Sequence, residues 1–296
     1  MTSNLTFKSE IDRSVNFITP CEDGGYFESR FVQRNPEYFI AYISSHSGCK
    51  RACTFCHLTA TKQVTMTPAT NANMCGQLRK VLKHYKSEES SEAIKKVHIN
   101  WMARGEPMDN RYLDGVTLQT MYDTVMQYLG YTTVPRFNIS TIMPKDMTIP
   151  LAPRFAPIFP DIYYSLYSMH PNYRYKFLPN SMDPDKALDL LKEYQDISGK
   201  VIHLHGAFIK GFNDTLEDAN RIIKAVRSRN LLVKVNIVRY NPPDAFTEET
   251  CEPMIDILVN KYKQERIPVS VVPRVGFDVK ASCGMFYNGE YDGNKT

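Results

Sequence analysis

Three cysteines lie close together near the start of the chain, and their spacing limits the chemistry they can do. Cys49, Cys53 and Cys56 follow a C-x3-C-x2-C pattern in a polar loop after an apolar run. A [4Fe-4S] cluster normally takes four Cys thiolates, so three would leave one iron open to a ligand that is not protein. A closed zinc site needs a fourth Cys or His, and His57 directly follows Cys56, which makes it an awkward ligand for the same ion. Three unrelated buried thiols are the remaining interpretation.

The size and composition of the chain fit one globular enzyme domain. It has 296 residues, of which 43% are hydrophobic, and a formal net charge of +4. No run of about 18 apolar residues is present, and the N-terminus lacks the apolar core of a signal peptide. We therefore expect a cytoplasmic protein without a membrane segment. In that reducing compartment the seven cysteines favour metal binding or catalysis over disulfides. The mild positive charge permits an anionic partner such as RNA without requiring one.

Strand-like and helix-like segments alternate along the chain, and the cysteine loop follows a predicted buried strand at 38–44. Further strands are predicted at 96–101, 136–140, 162–168, 201–207, 232–238 and 268–272. Helices are predicted from Thr67-Pro68 to about His84, over about 111–128, from Asp183-Pro184 onward, and where Leu216, Ala219, Ile223 and Val226 share one face. This alternation predicts a parallel sheet with right-handed crossovers. Six or seven units fit a partial (β/α)6 barrel better than a full eight-unit barrel.

The barrel prediction divides the chain into three parts. Residues 1–37 are polar and form an N-terminal extension with a possible hairpin arm at 26–32, residues 38–273 form the core barrel, and residues 274–296 form a C-terminal segment. In parallel α/β folds the loops after the strands carry the chemistry. We therefore expect the functional residues in those loops.

The cysteine spacing resembles the cluster loop of radical S-adenosylmethionine (SAM) enzymes, in which the open iron binds the amino and carboxylate groups of SAM. Gly105-Glu106-Pro107, after a predicted strand, narrows the resemblance to one family. This family comprises the radical SAM methyltransferases that act on carbon 2 of adenine in ribosomal and transfer RNA, with their carbon-8 relatives. In that family the G-E-P loop contacts the SAM amino group, as a carboxylate can. The resemblance implies a [4Fe-4S] cluster held by the three cysteines and SAM bound near Gly105 and Glu106.

Two single residues match SAM-binding positions of the family. Ser140 lies in a segment, 137–142, that resembles the family's serine-threonine segment, where a hydroxyl binds SAM. Asn241 precedes Pro242 in a segment that resembles the family's W-N-P, where the Asn binds SAM. Alone, each residue would more often form a cap or a turn. Their order along the chain supports the resemblance.

A third SAM contact is expected after the strand at 162–168. Ser168, Met169 and His170 precede Pro171-Asn172 and resemble the family's S-L-H-A-P-N segment around the SAM ribose and sulfonium. The competing alignment uses 165–167, and we rank it lower because it breaks the Pro-Asn match. The resemblance therefore implies Ser168, Met169 and His170 as cofactor-binding residues.

Two residues would carry out the methyl transfer itself. Cys283 lies in a segment, 278–285, that resembles the family's I-D-A-A-C-G-Q-L, whose Cys carries the transferred methyl group. The resemblance implies that one SAM methylates Cys283, and that a second SAM yields a radical that activates this methyl toward adenine. A covalent carrier suits an adenine carbon that cannot attack SAM directly. Glu28 stands about where the family keeps the general base, with a solvated surface acid as the alternative.

The chain departs from the family at two places. The family has a second catalytic cysteine seven residues before its first cluster cysteine, and this chain has Tyr42 there. Tyr cannot exchange disulfides, so complete turnover would require Cys21, Cys75 or Cys251 to substitute. The family's larger N-terminal accessory domain has no counterpart in the sequence, so we expect substrate recognition to differ.

The leading hypothesis is a radical SAM methyltransferase that modifies an adenine ring carbon in ribosomal or transfer RNA. The alternatives are a radical SAM enzyme on a different substrate and a non-catalytic RNA-binding relative. The aromatic and basic residues of 172–177 and Lys50-Arg51 are candidates for RNA contacts, because RNA is bound by stacking and charge together. We also expect an external electron donor, such as flavodoxin or ferredoxin, no membrane partner, and a monomer.

Overall fold

The computed structural model describes residues 4–88 and 94–289, and its strands form one ten-stranded sheet in chain order. The strands are β1 (Leu5–Lys8), β2 (Ser14–Pro20), β3 (Tyr26–Asn35), β4 (Tyr38–Ile43), β5 (Lys96–Trp101), β6 (Val134–Thr141), β7 (Asp161–Tyr164), β8 (Ile202–Gly206), β9 (Val233–Val238) and β10 (Val269–Val272). The helices are α1 (His57–Ala60), α2 (Asn71–Glu88), α3 (Gly115–Leu129), α4 (Leu151–Phe155), α5 (Pro171–Phe177), α6 (Pro184–Ser198), α7 (Leu216–Ser228) and α8 (Glu252–Gln264), with a 3-10 helix at Pro107–Asp109.

The sheet has a parallel part and an antiparallel part. Strands β4 to β10 run parallel to one another, and every crossover between them contains at least one helix. These six crossovers confirm the predicted α/β fold with six strand-helix units. Strands β1 to β4 pair antiparallel, so the hairpin expected at 26–32 becomes part of a three-strand extension of the same sheet.

The two faces of the parallel strands differ in chemistry. On β5, Val97, Ile99 and Trp101 are buried against the helices that cover the outside of the sheet. His98 and Asn100 point the other way, because successive side chains in a strand alternate between faces. Side chains from β3 to β10 line one cavity on this inner face, so the sheet curves into an open barrel. The barrel therefore has an apolar exterior under helices and a polar interior.

Two predicted boundaries are wrong. Helix α2 begins at Asn71 because Pro68 instead forms an isolated antiparallel bridge with His46. The strand expected at 162–168 ends at Tyr164, because Tyr167 adopts a φ of +58° and turns the chain.

Other boundaries shifted less. The helix expected at 111–128 begins at Gly115, with the Asp114 carboxylate accepting from the Thr117 backbone N–H. The charged stretch 86–96, whose composition predicts a solvated connection, lies partly outside the described residues, and its ends belong to α2 and β5. In the described parts of the chain, no helix has the length and apolarity that crossing a membrane requires.

Candidate active site

The three cysteines of the predicted cluster loop line one wall of a single cavity. The loop follows β4, the first parallel strand, and the cavity encloses about 990 Å³ including space open to solvent. Cys53 is buried, whereas Cys49 and Cys56 are partly exposed. A turn, in which the Cys56 N–H donates to the Cys53 carbonyl, keeps two of the thiols adjacent.

Close packing and an ion pair fix the shape of this loop. A side chain at Gly48 would lie 2.5 Å from the Gln63 carbonyl oxygen, so the loop can pack there only with glycine. The Arg51 guanidinium pairs with Asp109 and, at 2.7 Å, with Asp146. Because these partners compensate its charge, the loop is anchored independently of any ligand.

The donor set of the loop fits an iron-sulfur cluster. Burial raises the pKa of the Cys49 thiol to about 12, and burial also raises the pKa of Cys53 and Cys56. A bound metal centre would reverse this, because coordination deprotonates a thiol. Among residues 4–88 and 94–289, no group of three His, Cys, Asp or Glu side chains is arranged to hold a metal ion. In a cluster each thiolate binds a different iron, so three thiols along one cavity wall suit a cluster better than a single zinc ion.

Glu106 is a buried carboxylate in the loop after β5, and it lines the same cavity. Gly105 precedes it with a φ of +90°, and a side chain there would meet the Ser45 hydroxyl at 2.6 Å. The Glu106 carboxylate accepts from the backbone N–H groups of Met108 (3.0 Å) and Ile142 (3.1 Å). Burial raises the pKa of Glu106 to about 7 even though these hydrogen bonds act in the opposite direction. A cation in the cavity would favour its ionised form.

Ser140 and Asn241 lie at the ends of β6 and β9 and also line this cavity. The Ser140 hydroxyl is 3.3 Å from that of Ser165. The Asn241 side-chain N–H donates to the Cys283 carbonyl at 2.7 Å, while its buried Oδ1 has no hydrogen-bond partner. A buried acceptor without a partner is costly, so Asn241 is equipped to accept from a polar ligand.

The structure does not bring Ser168, Met169 and His170 to the cavity, which corrects their predicted position. The buried Ser168 hydroxyl donates to Asp218 at 2.9 Å, and Met169 packs against the core. His170 caps α5, its Nδ1 accepting from the Asn172 N–H.

The turn at Tyr167 causes this difference. Because its φ is positive, the chain leaves the barrel mouth after this residue and begins α5. Ser165 and Tyr167 line the cavity, and the Tyr167 ring stacks on Phe55 of the cysteine loop at 4.4 Å. The competing alignment at 165–167 is therefore the one whose residues reach the cavity.

Cys283 lies at the junction of two cavities. It lines the cavity of the three cysteines, and it also lines the barrel interior, which encloses about 1010 Å³ including open space. Its side chain is exposed to these cavities, yet the protein packed around it raises the pKa of the thiol to about 11 through burial, an effect that nearby Arg30 partly offsets. Of the described residues, Met102, His205, Val238 and Arg239 also line both cavities.

Sequence reasoning missed the polar lining of the barrel interior. Asn100, Asn138 and Asn236 face it, and the Asn138 side-chain N–H donates to Asn100 at 2.7 Å. The signal was the alternation of polar and apolar residues along strands that are covered by helices on one side only. Tyr42 lines this interior as well.

The three cysteines proposed to replace the missing catalytic thiol lie elsewhere. Cys75 is buried on α2, Cys251 precedes α8 at the surface, and Cys21 follows β2. None of the three lines either cavity. The structure therefore brings no further thiol to Cys283 beyond those of the cluster loop.

Glu28 is fully buried and lines neither cavity. One carboxylate oxygen accepts from Arg104 (2.6 Å) and the Tyr287 N–H (2.9 Å), and the other accepts from Arg30 (2.8 Å) and Asn16 (3.2 Å). Burial alone would raise the pKa of Glu28, but the two guanidinium groups outweigh it and lower the pKa. The solvated alternative is wrong, and the general-base role stays a prediction.

Half of the segment 172–177, which was expected to contact RNA, is internal. Tyr173, Arg174 and Phe177 are buried, and the Arg174 guanidinium donates to the carbonyls of Leu166 and Met182. Tyr175, which is 85% exposed, remains available for stacking. The predicted RNA contact at Arg174 is therefore wrong, because its charge supports the turn into α5.

The fold and the site together define a class: an open α/β barrel with a three-cysteine loop after its first parallel strand has the arrangement of radical SAM enzymes. No family model matches the chain. It is 23% identical over 290 residues to a probable dual-specificity RNA methyltransferase RlmN from Lachnospira eligens, covering 95% of this chain and 76% of that protein. It is 29% identical over 269 residues to the ribosomal RNA large subunit methyltransferase Cfr from Bacillus velezensis, covering 86% and 70% respectively.

A solved structure has the same fold. A radical SAM methyltransferase from Sphaerobacter thermophilus superposes with a TM-score of 0.78 at 19% identity, covering 96% of this chain and 80% of that one. The chain is thus homologous to the RlmN and Cfr radical SAM methyltransferases, which confirms the resemblance found in its sequence.

Proposed function

We propose that this protein is a radical SAM methyltransferase that transfers a methyl group through Cys283 to an adenine ring carbon in ribosomal or transfer RNA. The observation that carries this proposal is the shared cavity. Cys283 opens onto the same space as Cys49, Cys53 and Cys56. A cysteine that takes a methyl group from SAM must lie beside the bound SAM, and the shared cavity allows this.

One wall of the cavity supplies the cofactor contacts. Cys49, Cys53 and Cys56 would hold a [4Fe-4S] cluster, which when bound supplies the electron for reductive cleavage of SAM. Glu106 offers a carboxylate that can accept from the N–H groups of the SAM amino group. The unpartnered Oδ1 of Asn241 offers a further acceptor.

The barrel interior is the proposed place for the adenine. Its Asn side chains can donate to and accept from the edges of a base, and proteins read single-stranded RNA bases in this way. Cys283 lines both spaces, so its sulfur can take a group on one side and deliver it on the other.

Three further assignments belong to this proposal. The chemistry requires an external one-electron donor, for which flavodoxin or ferredoxin is suitable. A reducing cytoplasm suits a cluster held by thiolates. A monomer suffices, because both cavities are built from a single chain.

Mass spectrometry of Cys283 after anaerobic reconstitution with iron, sulfide and SAM tests the proposal. We expect an S-methyl group on Cys283 and, once RNA is added, a carbon bond from this group to an adenine, detected as a covalent protein-RNA species. Both should be lost in Cys283→Ala. Cys251→Ala is the matched control, since this exposed thiol lies away from the cavities. Cleavage of SAM without methylation of Cys283 would favour a radical SAM enzyme on another substrate. Absence of cleavage would favour an RNA-binding relative.

A further inference from the structure

The segment 276–289, here called the Cys283 segment, has no helix or strand of its own among the described residues. A few turn hydrogen bonds lie within it, such as the Met285 N–H to the Ser282 carbonyl. Backbone that forms no regular structure must find its hydrogen bonds elsewhere. Most of the partners that hold this segment come from distant parts of the chain.

A single guanidinium group binds the backbone on both sides of Cys283. Arg30 on β3 donates to the carbonyl of Ala281 (3.0 Å) on one side of the cysteine and to that of Met285 (2.7 Å) on the other, with a longer contact to Ser282. These acceptors lie within two residues of Cys283 in both directions. The position of the sulfur along the cavity wall therefore depends on Arg30.

A second guanidinium group fixes the segment further on. Arg104, in the loop after β5, donates to the Tyr287 carbonyl, and Glu28 accepts from the Tyr287 N–H. The Phe286 ring lies 5.1 Å from the Arg30 guanidinium carbon and 5.8 Å from that of Arg104. This aromatic contact adds a cation-π attraction to both groups.

Glu28 holds the two cations together. The side chains of Arg104 and Glu28 are fully buried, and that of Arg30 is 3% exposed. Two buried cations repel each other unless an anion lies between them, and the Glu28 carboxylate contacts both. Such buried pairs do little for stability in general but can fix a unique arrangement.

We propose that Glu28, Arg30 and Arg104 form a buried clamp that sets the position of Cys283, so that Glu28 is a positioning residue. The carboxylate holds two guanidinium groups in place, and these hold the backbone on both sides of the cysteine. The inference rests on the proposed function for only one measurement, the S-methylation of Cys283. The position of Cys283 can be measured without SAM or RNA.

The test compares Glu28→Gln with wild type by the alkylation rate of Cys283 with iodoacetamide and by hydrogen exchange of the Cys283 segment. Glu28→Gln keeps the size of the side chain and removes its charge. We expect both rates to change by about tenfold, which corresponds to the free energy of about one hydrogen bond. The alkylation rate of Cys251 should stay unchanged and serves as the internal reference. Glu37→Gln, which removes a surface ion pair with Lys95 near the same strand, is the matched control and should change neither.

Arg30→Lys provides the second variant, because Lys keeps the charge but cannot reach three carbonyls from one planar group. It should alter Cys283 alkylation with the melting temperature close to that of wild type. Cys283 rates within twofold of wild type in folded Glu28→Gln would overturn the clamp. If Glu28→Gln does not fold, unchanged rates in Arg30→Lys would overturn it instead.

Methylation separates the clamp from the general-base role. A base acts only after the methylene has joined the adenine, so its loss would leave S-methylation of Cys283 intact. Loss of the clamp should instead slow S-methylation itself. If wild type shows no S-methylation, the proposed function fails while the alkylation result still decides the clamp.

Discussion

The two walls of the candidate active site are built in different ways. On the cofactor wall, the cysteine loop, Glu106, Ser140 and Asn241 each lie at or just after the end of a parallel strand. On the second wall, Cys283 lies in a segment without regular structure, and charged groups 183 to 259 residues away hold that segment. Strand topology therefore positions the first wall, and buried charge positions the second. Asn241 joins the two, because it lines the first and donates to the Cys283 carbonyl.

The first prediction, with the largest effect, separates the walls completely. Cys53→Ala removes a buried cluster ligand, so the reconstituted protein should lose its iron-sulfur absorbance and all SAM cleavage. Cys283→Ala should keep about four irons per chain and cleave SAM, because the cofactor wall does not depend on it. Iron analysis and chromatography of the cleavage products measure both. Stoichiometric zinc without iron-sulfur absorbance would contradict the assignment.

The second prediction concerns Tyr42, which faces the barrel interior where no additional thiol reaches Cys283. Without a thiolate to release the methylated base, we expect a covalent protein-RNA species to build up after reaction with SAM, reductant and labelled RNA. Denaturing gel electrophoresis detects it, and Tyr42→Cys should relieve it. Cys21→Ala, Cys75→Ala and Cys251→Ala should behave like wild type. Multiple turnovers without adduct in wild type would show that release takes another route.

The third prediction compares the stability of the two walls. Arg104→Met leaves Glu28 buried with a weakened ion pair, and we expect it to lower the free energy of unfolding by about 3 to 5 kcal/mol. Arg51→Met on the cofactor wall loses a mostly buried pair with Asp109 and a largely exposed pair with Asp146, so we expect a smaller loss of about 1 to 3 kcal/mol. Denaturant unfolding of both variants measures the difference. Equal losses of unfolding free energy in the two variants would show that the second wall does not depend on buried charge more than the first.

The fourth prediction is a pH dependence on the cofactor wall. The pKa of Glu106 is raised to about 7, so the folded protein favours the protonated form, and the carboxylate becomes charged as the pH rises through about 7. A charged carboxylate accepts hydrogen bonds more strongly than a neutral carboxyl, so affinity for SAM, whose amino group supplies N–H donors, should increase between about pH 6 and about pH 8. The free energy of unfolding without SAM has the opposite pH dependence. The stability that the protonated Glu106 carboxyl contributes is present below about pH 4.5 and is lost as the pH rises to about 7.

Glu106→Gln serves as the comparison for this prediction. Its affinity should be lower by about 1 to 3 kcal/mol at the higher pH, as expected for a lost charged hydrogen bond. Its affinity should also change less with pH, which calorimetry at both values measures. Equal pH dependence in the two proteins would place the titrating group elsewhere.

Local spacing made the cofactor wall largely predictable from the sequence. The cysteine spacing identified the loop, and alternation located the strands whose ends carry Glu106, Ser140 and Asn241. The error at Ser168 arose because Tyr167 adopts a positive φ, which glycine usually occupies. A tyrosine at this position gives no sign of the turn in the sequence.

The second wall could not be predicted beyond Cys283 itself. Glu28 looked like a residue of a polar arm, since its partners Arg104 and Tyr287 are 76 and 259 residues away. Pairings at such separations leave no pattern within one segment. The division of the chain into three parts stays a prediction, although β1 to β3 share the sheet of the core.

The residues of the clamp are far apart in sequence, so during synthesis the cysteine loop is made well before the Cys283 segment. Arg30 and the Met285 carbonyl that it binds are 255 residues apart, so at roughly 5 to 20 residues per second the ribosome needs about ten to fifty seconds between them. During that interval the cysteine loop exists without the segment that later covers one side of its cavity. The loop is therefore accessible for assembly of a cluster until the Cys283 segment emerges.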